Sequence, residues 1–232
     1  MMKQLTYCAF SLATLVGLAH HASAADIRVI HGINGKDLGL AQELPVDISV
    51  NGSCVLKGVT FKQSTKVELG TGEYTVRVFL ATGSCEGTAV IKKKITISEQ
   101  AQKESFSLIA SLSGKGTPQL AVFQNTGTTI ITTGISIRHL AKAGAVKVRV
   151  GLRERGVRLP SLLQTIRNGE EASSFILGGT SLRYSGTLAT RSAKRVILPA
   201  RDIRMSYRIL YVVGSSENGF SVIAETIKLP LK

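Results

Sequence analysis

The chain has 232 residues, of which 44% are hydrophobic but only 5% aromatic, and 29 Lys and Arg against 15 Asp and Glu give a net charge of +14. Past the N-terminus no continuous apolar stretch reaches spanning length, and the shortage of aromatic side chains argues against a membrane β-barrel, which carries aromatic girdles at both interfaces. A balance this basic speaks to the charge of the partner, not to the fold.

The first residues read as an export signal. Lys3 supplies the basic start, an apolar run extends from Tyr7 to Ala19, and Ala22-Ser23-Ala24 gives a small-x-small cleavage site. Residues 1–24 are therefore expected to be a cleaved signal peptide that takes Cys8 with it, leaving 208 residues in a periplasmic or secreted protein. That length suits two units of about 100 residues, each with a modest core of its own.

Strand signals dominate the rest of the chain. Apolar and polar residues alternate through Val46–Val50, Tyr74–Val78, Ile95–Ile97, Phe106–Leu112 and Val146–Val150. Between them lie Asn51-Gly52, Gly70-Thr71-Gly72, Gly83-Ser84, Gly114-Lys115-Gly116, Gly178-Gly179 and Asn218-Gly219, where Gly and Asn tolerate the positive φ of tight turns. Asn51-Gly52-Ser53 matches a glycosylation sequon but reads better as a hairpin turn. Lys92, Lys93 and Lys94 alternate faces on a strand, so they read as guards of a sheet edge and not as one patch. Helical period is weak throughout, and the best helical candidate is Leu159–Ile166, with Pro160 in its first turn.

The chain also looks written twice. Ile27–His31 matches Ile135–His139, and Val46–Val50 matches Val146–Val150. Phe106–Leu112 aligns with Tyr207–Val213, and Leu120–Phe123 with Phe220–Ile223. The repeat predicts a first module over residues 25–126 and a second over 127–232, joined through the Thr- and Gly-rich segment Gly127–Gly134. Charge divides unevenly: residues 25–126 hold 11 Lys and Arg against 9 Asp and Glu, whereas residues 127–232 hold 17 against 6, twelve of the 17 being Arg. Cys54 and Cys85 fall in the first module only, and an oxidising compartment favours a disulfide between them over a reactive thiol pair.

Ile27–His31, Leu44–Gly52, Val59-Thr60-Phe61 and Gly72–Val76 resemble the DUF4397 family of exported bacterial β-sandwich domains. In that family a strand ending in His leads through a Pro-containing loop to Val-Asp-Val and a turn, and a Gly-x-Tyr strand comes later. This chain departs from the pattern in two places. The loop after His31 is longer and lacks Ser-Pro-Asp; the second module has Lys147 where the first has Asp47, and it loses Gly-x-Tyr. The two-module layout, together with Ile209–Ser215, also resembles the periplasmic accessory proteins of alginate O-acetylation. The resemblances imply an all-β fold, two tandem immunoglobulin-like β-sandwich modules behind a cleaved signal peptide.

The candidate site residues emerge from charge and position. Lys147 and Arg149 share one face of a strand, opposite Val146, Val148 and Val150, and Arg153, Arg155 and Arg158 extend the charge beyond it. Arginine's planar fork grips carboxylate, sulfate or phosphate with two hydrogen bonds, so these five are the expected anion-binding residues. Arg201, Arg204 and Arg208 are further cations whose faces the sequence leaves open. His31, His139, Asp47 and Tyr74 read as structural: the two histidines hold equivalent repeat positions, Asp47 tidies a loop, and Tyr74 ties one down. No metal-ligand spacing accompanies either histidine. There is also no Gly-x-Ser-x-Gly elbow and no His-Glu-x-x-His helix, so neither a catalytic residue nor a cofactor is expected. The sequence thus points to an exported binding or adaptor protein that meets an anionic polysaccharide, lipid head group or acidic envelope protein, nucleic acid being an unsuited partner outside the cell. The alternative is an accessory subunit of a polysaccharide-modifying complex.

Overall fold

A computed structural model describes residues 24–98, 105–125, 132–177, 181–190, 195–204 and 206–228. The expected signal segment, except for Ala24, and most of the segment expected to join the modules lie outside those residues, as does the Gly178-Gly179 turn. The first half of the chain forms β1 (Ala25–His31), β2 (Val46–Val50), β3 (Ser53–Val59), β4 (Ser64–Leu69), β5 (Gly72–Leu80), β6 (Ile91–Ile97), β7 (Ser105–Leu112) and β8 (Pro118–Asn125). The second half repeats the series as β9 (Thr132–His139), β10 (Val146–Glu154), β11 (Val157–Ile166), β12 (Glu171–Leu177), β13 (Ser181–Thr190), β14 (Arg195–Arg204), β15 (Ser206–Ser215) and β16 (Gly219–Lys228). Among the described residues the sole helical element is a 3-10 turn at Gly35–Leu38.

The fold is all-β. Sheets β4-β1-β7-β8 and β3-β2-β5-β6 pack over one core built on Ile27, Val46, Ile48, Val78, Leu108 and Leu112. Sheets β12-β9-β15-β16 and β11-β10-β13-β14 pack over a second, built on Ile135, Ile137, Val148, Val150, Leu182 and Val212. The strand order is the same in both halves, down to the parallel pairs β1–β7 and β9–β15, and the sheet layout is that of an immunoglobulin-like sandwich. Asn51 and Gly52 both have positive φ, 50° and 89°, as a two-residue hairpin turn between β2 and β3 requires.

A third apolar cluster joins the sandwiches. Ile30, Phe61 and Ile109 pack with Leu140, Tyr207, Ile209, Tyr211, Val213 and Ile223. The outer faces of β4-β1-β7-β8 and β12-β9-β15-β16 therefore meet, which makes four stacked layers with the two middle sheets covered on both sides. This explains why β7 and β15 are buried almost end to end: a strand covered on both faces has no solvent side.

Double burial also explains a register error in the sequence alignment. His31 pairs with Ala110 and His139 with Val212, and the next residues confirm it, since Gly32 N–H donates to the Ala110 carbonyl and Leu140 N–H to that of Val212, both at 2.8 Å. Phe106 therefore corresponds to Arg208, not to Tyr207. Likewise Leu120, paired with Ala110, corresponds to Val222, paired with Val212, and not to Phe220. A second correction concerns Leu159–Ile166, which is strand β11 and not a helix. Pro160 sits where the β10–β11 register shifts, between the pairs Leu152–Leu159 and Val150–Leu162, on the edge strand of its sheet. A bulge on an edge is where a strand accepts a residue without an N–H.

One charge is buried between the modules. Arg138 on β9 is fully buried and takes the place that Ile30 holds in the first copy. Its guanidinium donates to Asn125 Oδ1 at 2.8 Å, Ser107 Oγ at 3.1 Å, the Gln124 carbonyl at 3.1 Å and the Glu171 carboxylate, and it lies 4.5 Å from the Phe123 ring centroid. Ser107 Oγ is in turn 2.7 Å from the Tyr211 hydroxyl. Nearer the rim, Arg28 pairs with Glu225 at 2.7 Å, and Asp37 accepts from Ser215 and Asn218 at 2.5 and 2.6 Å.

Candidate anion-binding site

Strand β10 alternates strictly. Val146, Val148, Val150 and Leu152 point into the second core at 2% exposure or less, so Lys147, Arg149 and Arg153 must point out. At its end Arg155 and Gly156 form the hairpin to β11 with φ of 45° and 86°. Two successive positive-φ residues define the type I′ turn, in which Asn-Gly is the common pair; an arginine in that conformation is rare.

The backbone register then gathers arginines that are far apart in sequence. Arg153 pairs with Arg158 on one side and with Arg183 on the other, and Arg183 pairs with Asp202 on β14. Neighbouring strands lie about 4.8 Å apart, so three guanidinium-bearing positions fall in one cross-strand row about 10 Å wide. Like charges directly opposite one another destabilise a sheet, and Asp202 offsets little: its contact with Arg183 is 3.7 Å and exposed to water. Beside the row an open groove of about 820 Å³ is lined by Arg153, Arg155, Gly156, Ser181, Arg183, Asp202 and Arg204.

Of the five predicted anion-binding residues, the structure brings Arg153 and Arg155 into the groove and sets Arg158 at the end of the row, outside the lining. Arg155 also has an interaction of its own within the chain. Lys147 and Arg149 share the exposed face but stand apart, Arg149 about 13 Å from Arg153 at strand rise, with Gly151 between them. Arg183 and Ser181 were not legible as site residues, because cross-strand adjacency 30 residues away leaves no local pattern. Arg204 joins the groove, and Arg201, Arg204 and Arg208 line a second hollow of about 410 Å³ with Tyr184, Asp202, Ile203, Ser206 and Thr226.

The remaining predicted residues are engaged by the fold. Each histidine ends its strand and is fully buried. His31 donates from Nε2 to the Leu44 carbonyl and His139 to that of Gly144, each at 2.8 Å, while Nδ1 accepts from Ile33 and Ala141 N–H at 3.4 Å. Burial lowers both imidazoles below their usual range, and the carbonyl contacts offset part of that. Asp47 is also buried and accepts from the N–H groups of Gly58, Thr82 and Gly83 at 2.8, 2.9 and 2.7 Å. Burial alone would raise its carboxyl, but these donors and the Cys85 N–H hold it below the usual carboxylate range. The loop that Asp47 holds carries Cys85, which is bonded to Cys54 of β3. Tyr74 donates to the Gly70 carbonyl at 3.1 Å. Among the described residues no cluster of three His, Cys, Asp or Glu could hold a metal ion, and no helix is long and apolar enough to cross a membrane.

The family model of DUF4397, a domain of unknown function, matches residues 25–149, more than half of the chain, and the chain belongs to that family. The match runs from the first sandwich into β9 and β10 of the second. No curated protein matches. Among solved structures the chain is similar to a non-hemolytic pneumolysin from Streptococcus pneumoniae, at 12% identity and a TM-score of 0.29 over 68% of this chain; it spans 40% of that protein's length. It is also similar to a DUF3823 family protein from Bacteroides ovatus, at 10% identity and a TM-score of 0.23 over 78% of this chain and 99% of the other. A third likeness is to the tip fimbrial protein Mfa3 from Porphyromonas gingivalis, at 9% identity and a TM-score of 0.29 over 88% and 99%. At TM-scores this low they carry no functional argument.

Proposed function

We propose that this member of the DUF4397 family is an exported, non-enzymatic binding protein whose second module contacts an anionic ligand through the outer sheet β11-β10-β13-β14. The observation that carries the reading is the row Arg158–Arg153–Arg183, three arginines on adjacent strands beside an open groove. Their mutual repulsion costs stability, and an anion seated between them relieves it. Both histidines are buried against main-chain partners, which supports binding over general acid–base chemistry. The Cys54–Cys85 disulfide supports an oxidising, extracytoplasmic setting.

The reading is tested with the full exported chain against polygalacturonate and against phosphatidylglycerol vesicles at low and high salt. Binding to either anion should fall steeply as salt rises, because exposed charges are screened within about 8 Å at physiological ionic strength. Arg153→Ala/Arg183→Ala should weaken it roughly tenfold or more, at about 1.5 kcal/mol or more per lost charge-assisted contact. Lys147→Ala/Arg149→Ala should change it far less. Binding that is indifferent to salt and to Arg153 and Arg183 would exclude the proposal.

A further inference from the structure

We infer that the ligand is a linear carboxylated polysaccharide that straddles the end of strand β14, with successive acidic groups in the two hollows on either side of it. The inference rests on the anion-binding reading above and adds the shape of the ligand.

The two hollows share a wall. Asp202 and Arg204 line both the groove of about 820 Å³ and the hollow of about 410 Å³. They nonetheless open on different sides of the sheet. Asp202 and Arg204 pair with Arg183 and Ser181 and take the outward direction of β14; Ile203, between them, is buried in the second core. Arg201 pairs with buried Tyr184 and has the inward parity of Ile203, yet it is exposed, on the edge strand of its sheet. Arg208 faces the same way, since Leu210 and Val212, two and four residues further along β15, belong to that core. Cations therefore stand on the outer face of β14 through Arg153, Arg183 and Arg204, and around its edge through Arg201 and Arg208.

This geometry selects among anions. A membrane is a plane, and it cannot enter a groove on the outer face of a strand and a hollow behind that strand together. A single head group fills one hollow and leaves the second set of arginines unused. A flexible chain with an acidic group on every unit can bend over the strand end and place one carboxylate in each hollow. Two linked weak contacts then act as one stronger contact, because the second is made at a high effective concentration.

The test uses the full chain with trigalacturonate, long polygalacturonate and phosphatidylglycerol vesicles, each titrated by calorimetry. Long polymer should bind at least about tenfold more tightly per chain end than the trisaccharide, the gain expected when a second site is engaged by linkage. Arg183→Ala should weaken both saccharides. Arg201→Ala/Arg208→Ala, and separately Arg201→Glu in case the loss of the Arg208–Thr226 contact disturbs β15, should leave the trisaccharide unchanged and lower the polymer to the trisaccharide's level. If these second-hollow variants leave polymer binding intact while Arg183→Ala abolishes it, the straddling arrangement is wrong and the anion-binding groove stands. Equal loss of vesicle binding in all variants would replace the polysaccharide by a membrane. No binding of any anion would remove both readings.

Discussion

His31 and His139 make the same hydrogen bond in the two copies, each donating from Nε2 to a carbonyl 2.8 Å away that lies two residues before the next strand, Leu44 before Val46 and Gly144 before Val146. The bond fixes the loop that carries the chain from one sheet to the other. Both imidazoles are buried in neutral form with a lowered pKa, so the unfolded chain binds their protons more readily than the native one.

These shifts make the fold sensitive to acid. Stability is complete above the unfolded histidine value of 6.5 and declines as pH falls below it towards the folded values. Because both copies shift in the same direction, their effects add. Thermal melts between pH 7.5 and 5 should show Tm falling with acidity, and His31→Gln/His139→Gln should flatten the curve in that window while lowering Tm at neutral pH. A double variant as pH-sensitive as the wild-type chain would show that other groups control the acid limb.

Asp47 and the disulfide form one unit. The carboxylate gathers the Gly58, Thr82 and Gly83 N–H groups, and so sets the β3 segment and the β5–β6 loop at the distance that Cys54 and Cys85 close, with 5.5 Å between their Cα atoms. Asp47→Ala leaves three donors without their acceptor and should cost about 3 kcal/mol in urea denaturation. Cys54→Ser/Cys85→Ser should cost about 3 kcal/mol through the loop it reopens, and reductant should then have no further effect. The depressed Asp47 pKa adds stability that is present above the usual carboxylate value and is lost as pH falls through the folded one.

How much of this was legible in the sequence depends on solvent. Strand β10 has one wet face, and its alternation read correctly from Val146 to Val150. Strands β7 and β15 have none, so their apolar runs announced strands but could not say which residues face which sheet, and a one-residue slip in the repeat alignment went unopposed. In β11, Leu159, Leu162 and Leu163 fall at helical spacing beside a proline, whereas their actual periodicity is broken by the bulge that admits Pro160. Arg153 and Arg155 were legible because they are close in sequence; Arg183 entered the same row only through strand pairing.

Arg138 is the costliest of the residues that sequence reading passed over. It sits between Ile137 and His139 at a position that is isoleucine in the first copy, and that contrast was the available signal. Removing it takes one donor from the Gln124 carbonyl, from Asn125 Oδ1 and from Ser107 Oγ, the last two of which keep their bond to each other, and leaves Glu171, whose carboxyl Arg138 and neighbouring hydroxyls hold below its ordinary range despite burial, without its cation. Arg138→Ala should therefore cost about 3–5 kcal/mol, the range for breaking a buried pair from one side. Tyr211→Phe, which deletes the hydroxyl's contacts with Ser107 at 2.7 Å and with Arg138 at 3.4 Å, should cost about 1 kcal/mol. Because these groups join the modules, Arg138→Ala should also split one unfolding transition into two, read by calorimetry; a single, merely shifted transition would show that the apolar cluster around Tyr211 couples the modules without the arginine.

Gly186 offers a way to test the arginine face without touching a charge. It pairs with Val150 on β10, and a Cβ there would lie 2.2 Å from the Arg149 carbonyl oxygen and 2.7 Å from the Val150 Cα, both backbone atoms that cannot turn aside. Gly186→Ala should push β10 and β13 apart, cost about 2 kcal/mol as an overpacked position, and loosen the Arg153–Arg183 spacing enough to weaken anion binding. Gly151 is the control on the same strands. Its Cβ would meet only the Ser185 carbonyl oxygen, at 3.8 Å, so Gly151→Ala should leave stability unchanged or raise it by about 0.5 kcal/mol as strand entropy is reduced. If Gly186→Ala lowers stability but leaves anion affinity at the wild-type value, the ligand does not depend on the register that brings those two arginines together.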